Sequence, residues 1–426
     1  MTMILPAARA MMFNAAPADQ APCHSDRLTS LSEYPFPRLH ALLADVTPRA
    51  NVVPGILTIG EPQNNPPTLL TQTLAAAAPS AWAKYPPTAG TAEFRAAVGG
   101  WLSRRFSLPA DFIDADRTIL PVCGTREALY QLAQLVVPET KAGQKPVVLI
   151  PNPFYAVYQG AAVMAGAEPV FLDGTKETGY LPDLDAVPEE IWARTALFYL
   201  CTPANPQGAV ASLDYLKRAL TLARRHGFTV AFDECYGELW HNGVPAGGLD
   251  AARELGGDRP LSNLLSFHSL SKRSSAAGLR SGFVVGDPAL IAGFTRLRAY
   301  SLAGMPLPVL AASALLWADD AHVAINRAYY RANVDAAEAV LAGKLGYYRP
   351  DAGFFLWLDV SQVAENGEEA TVRLWREGAI KVLPGAYLTQ PHMDGFNPGD
   401  RYIRVALVQD ADNVARSMER LVRILT

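Results

Sequence analysis

Five short polar segments carry the residue types that could do chemistry, and each follows a candidate β-strand. They are residues 124–126, 152–155, 202–206, 233–236 and 269–272. Together they supply a small-residue turn, an aromatic ring, an amide, a carboxylate and an amine. Ligands of open parallel sheets bind beyond the carboxyl ends of the strands. We therefore expect the five segments to meet in one binding site.

Lys272 follows the apolar segment 264–267 and lies in the polar sequence Ser269-Leu-Ser-Lys. Considered alone, this segment is better interpreted as a solvated lysine in a loop. The alternative is an amine whose lowered pKa allows it to form a Schiff base with a carbonyl compound. Arg280, eight residues further on, could place a fixed cation in the same site.

Asp233 ends the apolar segment 229–232, where a carboxylate needs a cation or a hydrogen-bond donor as its partner. It could cap the segment that follows, which is a common role for aspartate. It could also face a protonated pyridine nitrogen and keep that ring electron-poor. Tyr236, three residues later, could reach the same ring.

The turn at 124–125 (Gly-Thr) opens the amphipathic segment 127–136. A helix that begins after such a turn presents free N–H groups, which bind phosphate well. The turn alone is equally compatible with a plain strand–helix connection, because its spacing matches no phosphate-binding motif. Ser269, Ser271 and Arg280 favour the phosphate, since they and the turn would complete a cup of donors.

Arg404 lies in a candidate strand near the C-terminus. Ile403, Val405 and Leu407 alternate onto one face of that strand and leave Arg404 on the other. A structural salt bridge and a bidentate grip on a carboxylate are equally compatible with this position.

Short apolar segments alternate with helix-like ones through the middle of the chain. The strand candidates are residues 118–122, 147–150, 169–172, 196–200, 229–232, 264–267 and 282–285. Residues 127–136 and 213–226 have the apolar spacing of amphipathic helices. Such alternation is typical of βαβ units, so the sequence predicts a large α/β domain with a mostly parallel seven-stranded sheet between helices.

After residue 285 helical segments dominate as far as residue 341, and two strand-like pieces follow at 354–358 and 402–408. This pattern predicts a smaller α+β domain built from both chain ends. The predicted organisation is a disordered extension over 1–33, an N-terminal segment packing with the small domain over 34–66, a large cofactor-binding domain over 67–303 and a small C-terminal domain over 304–426.

The composition excludes several classes of protein. The 426 residues include 37 Lys and Arg against 41 Asp and Glu, a net charge of −4, which argues against nucleic acid as a partner. No apolar run is long enough for a membrane span, so we expect no membrane partner and a cytoplasmic protein. The cysteines have no regular spacing, and Cys123, Cys201 and Cys235 are expected to be small buried residues rather than metal ligands.

Taken together, these residues resemble the fold-type I, class I/II aminotransferases, which use pyridoxal 5′-phosphate. Ser269-Leu-Ser-Lys272 with Arg280 is similar to the family's S-x-S-K…R motif, and Asn205 lies in Asn-Pro-Gln-Gly, similar to its N-P-x-G motif. The resemblance implies that Lys272 is the catalytic residue and carries the cofactor. It also implies that the cofactor's ring contacts Asp233, Tyr236, Asn205 and Tyr155. The phosphate would contact Ser269, Ser271, Arg280 and the backbone of Thr125 and Arg126.

The resemblance extends to the substrate and to a second subunit. Arg404, Gly60 and Asn205 match residues that bind the substrate, with Arg404 holding its α-carboxylate. Tyr85, in Lys-Tyr-Pro-Pro-Thr-Ala-Gly, resembles a tyrosine that reaches the neighbouring subunit's phosphate, so a homodimer with shared active sites is expected. Arg296 and Arg298 are candidates by position for a second substrate carboxylate, although at least one is better interpreted as surface charge.

Within the family, the chain is most similar to the bacterial N-succinyldiaminopimelate aminotransferases. The segments that carry this similarity begin at Tyr34, Asn152, Asp233, Ser269 and Leu279. The implied reaction moves an amino group between L-glutamate and N-succinyl-2-amino-6-oxoheptanedioate, in diaminopimelate and lysine biosynthesis. The alternatives are an aminotransferase for aspartate, alanine or aromatic amino acids, and a carbon–sulfur β-lyase that uses the same cofactor.

Overall fold

The structure of the chain is a computed structural model that describes residues 24–302 and 304–426. Its strands are β1 (Gly55–Ile56), β2 (Ile119–Val122), β3 (Val147–Asn152), β4 (Glu168–Asp173), β5 (Thr195–Cys201), β6 (Thr229–Asp233), β7 (Leu264–Ser269), β8 (Gly282–Gly286), β9 (Phe355–Asp359), β10 (Ile380–Lys381), β11 (Leu383–Pro384) and β12 (Tyr402–Ala406). Its α-helices are α1 (Pro35–Leu43), α2 (Thr68–Ala75), α3 (Pro79–Trp82), α4 (Ala92–Phe106), α5 (Ala115–Thr118), α6 (Thr125–Val136), α7 (Ala156–Met164), α8 (Glu189–Arg194), α9 (Leu213–His226), α10 (Gly248–Leu255), α11 (Leu270–Arg273), α12 (Pro288–Ser301), α13 (Leu307–Ala318), α14 (Ala321–Leu341), α15 (Gly367–Gly378) and α16 (Ala411–Leu425).

Strands β2 to β8 form one sheet in the order β2-β8-β7-β6-β5-β3-β4. Neighbouring strands run parallel except β8, which is antiparallel to both β2 and β7. This arrangement confirms the predicted α/β fold with a mostly parallel seven-stranded sheet. Because β8 runs in the opposite direction, its first residues lie at the edge where β6 and β7 end. Arg280, just before β8, therefore comes close to the segment that follows β7.

Helix α9 illustrates how the sequence sets the ends of the helices that cover this sheet. The Ser212 hydroxyl accepts a 3.2 Å hydrogen bond from the Tyr215 N–H, and Gly227 ends the helix with a φ of 64°. The buried side chains between these caps follow the helical repeat: Leu216, Ala219, Leu220 and Ala223. The helix forms at its predicted bounds, 213–226.

The C-terminal region and the N-terminal segment pack together. Strands β11, β12 and β9 form an antiparallel sheet, and β1 pairs with β10 in parallel. Leu39 and Leu43 of α1 pack in one apolar cluster with Trp357 and Leu383. These contacts agree with a smaller α+β domain built from both chain ends, while its boundaries stay a prediction.

The predicted domain boundary at residue 304 places helix α13 in the small domain, but the helix packs on the large sheet. Its side chains Leu310, Leu316 and Trp317 are buried in the core cluster of the large sheet, against α2 and α4. Its exposed stripe, Ala311, Leu315 and Ala318, is also apolar, so the sequence lacks the amphipathic pattern that would indicate which face is packed.

Residues 24–33 belong to the predicted disordered extension, but the structure has a short helix and specific contacts there. Residues Asp26–Ser30 form a 3-10 helix next to α7. Arg27 donates a 2.7 Å hydrogen bond to the Met164 carbonyl, and the Ser32 hydroxyl donates one to the Gln159 side chain at 2.8 Å. Such hydrogen bonds between distant segments of the chain leave no pattern in the sequence. The remainder of the predicted extension, 1–23, lies outside the described residues.

Over 24–302 and 304–426, no single helix is both long and apolar enough to cross a membrane. Only α13 and α14 taken together reach that length and hydropathy, and the two helices are bent by 75° relative to each other.

Candidate active site

A cavity of about 410 Å³ opens at the edge of the large sheet where β3, β5, β6 and β7 end. Its walls also include the N-terminal segment and the C-terminal sheet. The predicted site residues that line it are Gly60, Thr125, Arg126, Tyr155, Asn205, Asp233, Tyr236, Ser269, Ser271, Lys272, Arg280 and Arg404. The volume suits a small-molecule ligand. The structure thus brings the five predicted segments together around one space.

Lys272 lies in α11, a single helical turn that directly follows β7. Its Nζ donates a hydrogen bond to the Gly60 carbonyl oxygen and lies 5.5 Å from the centroid of the Phe354 ring. Burial lowers the pKa of the Lys272 amine to about 8; the Glu61 carboxylate acts against this shift, and the positive charges of Arg404 and Arg280 act with it. Part of the amine is therefore neutral near pH 7, in the form that can attack a carbonyl or accept a proton.

Asp233 ends β6 and is only 4% exposed. Its Oδ2 accepts a 2.7 Å hydrogen bond from the Tyr158 hydroxyl, and its Oδ1 accepts one from the Cys235 N–H at 3.3 Å. Burial raises the pKa of the carboxyl group, and no cation in the described part of the chain opposes that effect. A protonated ring nitrogen on a ligand would supply the missing positive charge.

Two tyrosines complete the surroundings of Asp233. Tyr236 is 7% exposed, and burial raises the pKa of its phenol well above the usual value, so it stays protonated and can donate. Tyr158, which holds Asp233, escaped the sequence analysis. It follows Tyr155 by three residues on α7, and this helical spacing after a predicted site residue is the signal that could have revealed it.

The residues predicted to hold a phosphate lie around the start of α6. Gly124 precedes the helix with a φ of 94°, and a Cβ at this position would overlap the Arg280 guanidinium. Only glycine at position 124 therefore leaves room for a ligand to approach the first N–H groups of α6. Ser269 and Ser271 lie at the same end of the cavity, and Arg280 pairs with the Glu127 carboxylate at 3.0 Å. These donors fit a phosphate group.

Arg404 approaches the cavity from β12, on the side opposite the large sheet. It is 6% exposed and donates to the Thr58 carbonyl at 2.7 Å and to the Asn205 side-chain oxygen at 3.3 Å. Its Nε has no hydrogen-bond partner among the described residues. Burial lowers the pKa of its guanidinium to about 10, so it remains charged at pH 7. Of its two interpretations, the geometry favours the grip on a ligand's carboxylate over the structural salt bridge.

Three side chains form what we call the mouth of the cavity: Arg126, Tyr34 and Tyr155. The Arg126 Nε donates to the Tyr155 hydroxyl at 2.6 Å, and its Nη2 donates to the Tyr34 hydroxyl at 3.1 Å. Arg126 is exposed, and only its backbone was predicted to belong to the site. The guanidinium, which joins the N-terminal segment to the large sheet, is therefore a site feature that the motifs do not reveal.

Two arginines proposed for a second carboxylate do not reach this cavity. Arg298 is 1% exposed and donates to the Pro121 carbonyl, because its face of α12 packs against the large sheet. Arg296 lies on the exposed side of the same helix, outside the cavity lining. The prediction for Arg298 is therefore wrong for the described chain. Position along a helix does not reveal which face is packed.

Three further predictions concern residues at the edges of the site. Tyr85 is 95% exposed and lies outside the cavity lining of its own chain. Cys201 and Cys235, expected to be small buried residues, are partly exposed and line the cavity. Over the described ranges, no three His, Cys, Asp or Glu side chains gather closely enough to hold a metal ion.

Known proteins share this architecture and sequence. The chain is 39% identical to an aminotransferase from Neisseria meningitidis Z2491 of known structure, with a TM-score of 0.88 and coverage of 94% of this chain and 100% of that one. It is 28% identical to LL-diaminopimelate aminotransferase of Syntrophobacter fumaroxidans, covering 93% of this chain and 97% of the relative. It is 32% identical to 4-dedimethylamino-4-oxo-anhydrotetracycline transaminase OxyQ of Streptomyces rimosus, covering 86% and 92%.

The relatives share the transfer of an amino group but differ in the substrate that their names state. The family model described as aminotransferase class I and II matches residues 56–421, which include every predicted site residue. The buried anion without a cation, the phosphate cup and the amine at the end of β7 fit the cofactor of that family. The chain belongs to the class I and II aminotransferases, fold-type I enzymes that use pyridoxal 5′-phosphate.

Proposed function

We propose that the chain transfers an amino group between L-glutamate and N-succinyl-2-amino-6-oxoheptanedioate. The observation that carries the proposal is a pair of guanidinium groups, Arg404 deep in the cavity and Arg126 at its mouth. Neither has a carboxylate within ion-pair distance among the described residues. Because cations near a low-dielectric cavity attract anions strongly, the cavity suits a substrate with carboxylates at both ends.

The carboxylates of the cavity favour the succinylated substrate over free diaminopimelate. Asp233 and Glu127 are the acidic residues in the described lining, and both are engaged, Asp233 facing the cofactor's site and Glu127 paired with Arg280. Free LL-diaminopimelate would bring a distal ammonium group that needs an unpaired anion. Succinylation replaces that ammonium with an amide and adds a further carboxylate. Such a substrate suits a cavity whose described lining has more cationic than anionic side chains.

The chain's own residues supply binding and proton transfer. Bound pyridoxal phosphate supplies a ring that delocalises the negative charge left when the substrate's Cα loses its proton. Asp233 would hold the nitrogen of that ring, and the start of α6 with Ser269, Ser271 and Arg280 would hold the phosphate. Lys272 moves the proton at Cα, because a pKa near 8 allows its amine to accept and return a proton near neutral pH.

A homodimer with shared active sites is part of the proposal. Tyr85 is almost fully exposed, and its phenol does not line the cavity of its own chain. Trp82, on the same segment, is 54% exposed, so an apolar surface is available to a second copy. Sedimentation velocity of the holoenzyme is expected to give twice the chain mass of 45.9 kDa. A monomer that retains full activity would contradict the shared site.

The substrate is tested by mixing the yellow holoenzyme, without acceptor, with one amino donor at a time. A single turnover is followed by the absorbance change as the cofactor takes up the amino group. We expect fast conversion with N-succinyl-LL-diaminopimelate and L-glutamate, and slow conversion with L-aspartate, L-alanine and aromatic amino acids. Free LL-diaminopimelate is the matched control, because it has the same carbon chain without the succinyl group.

Other outcomes would overturn the substrate assignment. Faster conversion with free LL-diaminopimelate than with its succinylated form would contradict the charge argument and keep the aminotransferase. Release of pyruvate and ammonia from cysteine conjugates, without conversion by glutamate, would identify a carbon–sulfur β-lyase instead.

A further inference from the structure

We infer that Asn326 of α14 is a positioning residue that holds the main chain of Lys272 and links it to the segment that carries Gly60. The inference rests on the proposed role of Lys272. Asn326 lies outside the cavity lining, so it would act only through the residues that it binds.

The main chain at Lys272 ends a helix that is too short to satisfy its own carbonyl groups. Helix α11 has four residues, and the last carbonyls of any helix lack partners within it. The Asn326 amide donates one hydrogen bond to the Lys272 carbonyl at 2.8 Å and another to the Arg273 carbonyl at 3.1 Å. Asn326 is 5% exposed, so both of its N–H groups are committed to this contact in a place that water hardly reaches.

The backbone after Lys272 needs support from outside. Ser275 has a φ of 49° and Arg280 a φ of 54°, a left-handed conformation that non-glycine residues hold only when their surroundings enforce it. One turn before Asn326 on α14, the His322 Nε2 bonds the Ser274 hydroxyl at 2.8 Å. A single face of α14 therefore holds consecutive residues on the C-terminal side of the reactive lysine.

The Asn326 side chain also contacts the N-terminal segment, on the other side of the cavity. The Asn326 side-chain oxygen accepts a 2.8 Å hydrogen bond from Asn64, and the Ser275 hydroxyl lies 2.7 Å from the Asn64 oxygen and 2.9 Å from the Asn326 oxygen. Asn64 follows Gly60 by four residues, and the Gly60 carbonyl accepts a hydrogen bond from the Lys272 amine. Asn326 thus ties the main chain of Lys272 by hydrogen bonds to the chain segment whose Gly60 carbonyl holds the Lys272 amine.

This network matters because proton transfer depends on the position of the amine. An error of about 1 Å in the placement of a reacting group can cost about 100-fold in rate. Removal of the Asn326 side chain frees the turn that carries Lys272 without touching the cavity. We therefore expect a loss in kcat rather than in the binding of the amino donor.

Asn333 offers a matched control on the same helix. It is fully buried, and its amide also donates to two main-chain carbonyls, those of Leu407 at 2.9 Å and Gln409 at 2.6 Å. Neither of these residues belongs to the lysine segment. A variant at Asn333 therefore reproduces the structural cost of losing such an amide without the proposed positioning effect.

The experiment compares the holoenzymes of Asn326→Ala and Asn333→Ala with L-glutamate as donor. We expect Asn326→Ala to lower kcat about 10- to 100-fold, with KM changed less than about threefold. We also expect it to shift the pH midpoint of the holoenzyme's absorbance change, a spectroscopic readout of the lysine's surroundings. Asn333→Ala is expected to lower the melting temperature while kcat stays within about twofold and the midpoint is unchanged.

A result in which the two variants behave alike, with equal kcat and an unshifted midpoint, would overturn the inference. If Asn326→Ala does not fold, Asn64→Ala tests the network from its other end. It should shift the midpoint in the same direction with a smaller loss of kcat, and an unshifted midpoint would count against the inference. Failure of the proposed function is distinguishable, because it would appear as slow conversion of N-succinyl-LL-diaminopimelate or L-glutamate by the wild-type enzyme, whereas failure of this inference appears only in the comparison of the two variants.

Discussion

The inner part and the mouth of the cavity are built in different ways. Lys272, Asp233 and Arg404 are inner groups, fixed by hydrogen bonds to main-chain atoms or to a buried phenol. At the mouth, Arg126 is exposed, and its hydrogen-bond partners among the described residues are the hydroxyls of Tyr34 and Tyr155. Groups held by a rigid frame suit a fixed reaction geometry, whereas exposed side chains can be exchanged without disturbing it. Reaction type and substrate choice should therefore respond separately to mutation.

The largest effect is expected at the reactive amine. Lys272→Ala removes the group that moves the proton at Cα, so single-turnover conversion with L-glutamate should fall by about 10³-fold or more. Lys381, on β10 and outside the cavity lining, provides the control, and its replacement by alanine should leave the rate unchanged. Near wild-type turnover in Lys272→Ala would refute the assignment.

A second large effect is expected at the buried anion. Asp233→Asn keeps the shape but removes the charge, and loss of one partner of a buried charge pair costs about 3–5 kcal/mol, or at least about 10²-fold in rate. Asp173 ends β4 as Asp233 ends β6, but it lies outside the cavity lining. Asp173→Asn should therefore keep kcat within about twofold. Equal losses in the two variants would contradict a special role for Asp233.

The pKa of Lys272 predicts a pH dependence that can be measured on the cofactor-free chain. Only the neutral amine attacks an aldehyde, and burial lowers the pKa of Lys272 to about 8. The rate of recombination with pyridoxal phosphate should therefore rise about tenfold per pH unit below about pH 8 and level off above it. A rate that continues to rise beyond pH 10 would mean that the lysine is not buried as described.

The smallest effect is expected from one hydroxyl at the mouth. Tyr34→Phe removes a hydrogen bond that Arg126 donates, and such a bond contributes about 0.5–1.5 kcal/mol. We expect kcat/KM for N-succinyl-LL-diaminopimelate to fall about two- to tenfold while kcat with L-alanine stays the same. Tyr300, which is 87% exposed and outside the cavity, provides the control through Tyr300→Phe. An effect on L-alanine would mean that Tyr34 also supports the inner part of the site.

The inner part was more predictable from the sequence than the mouth. Asp233 ends a buried strand and Lys272 follows the end of another by three residues, and the carboxyl ends of parallel strands meet at one edge whatever the details of packing. The side chain of Arg126 gave no such pattern, since its role depends on Tyr34, which is 92 residues away in the chain. Local periodicity therefore reveals where a site forms, but contacts between distant segments decide its entrance.

The same limit explains the individual errors and omissions. Arg404 had two open interpretations because its burial and its partners depend on how β12 meets the large sheet. Arg298 was misplaced because the sequence does not reveal which face of α12 is covered. Asn326 has no signal in the sequence, since the role of a lone asparagine on a helix depends on its contacts, here the carbonyls of Lys272 and Arg273.

The separation of reaction from substrate choice is tested most directly with Arg126→Gln. The measurement is the single-turnover rate of wild type and variant with N-succinyl-LL-diaminopimelate and with L-alanine, which has no second carboxylate. Loss of one charged hydrogen-bond donor predicts about a tenfold fall with the succinylated substrate and a rate with L-alanine that is unchanged within about twofold. An equal loss with both substrates, or no loss with either, would contradict the account.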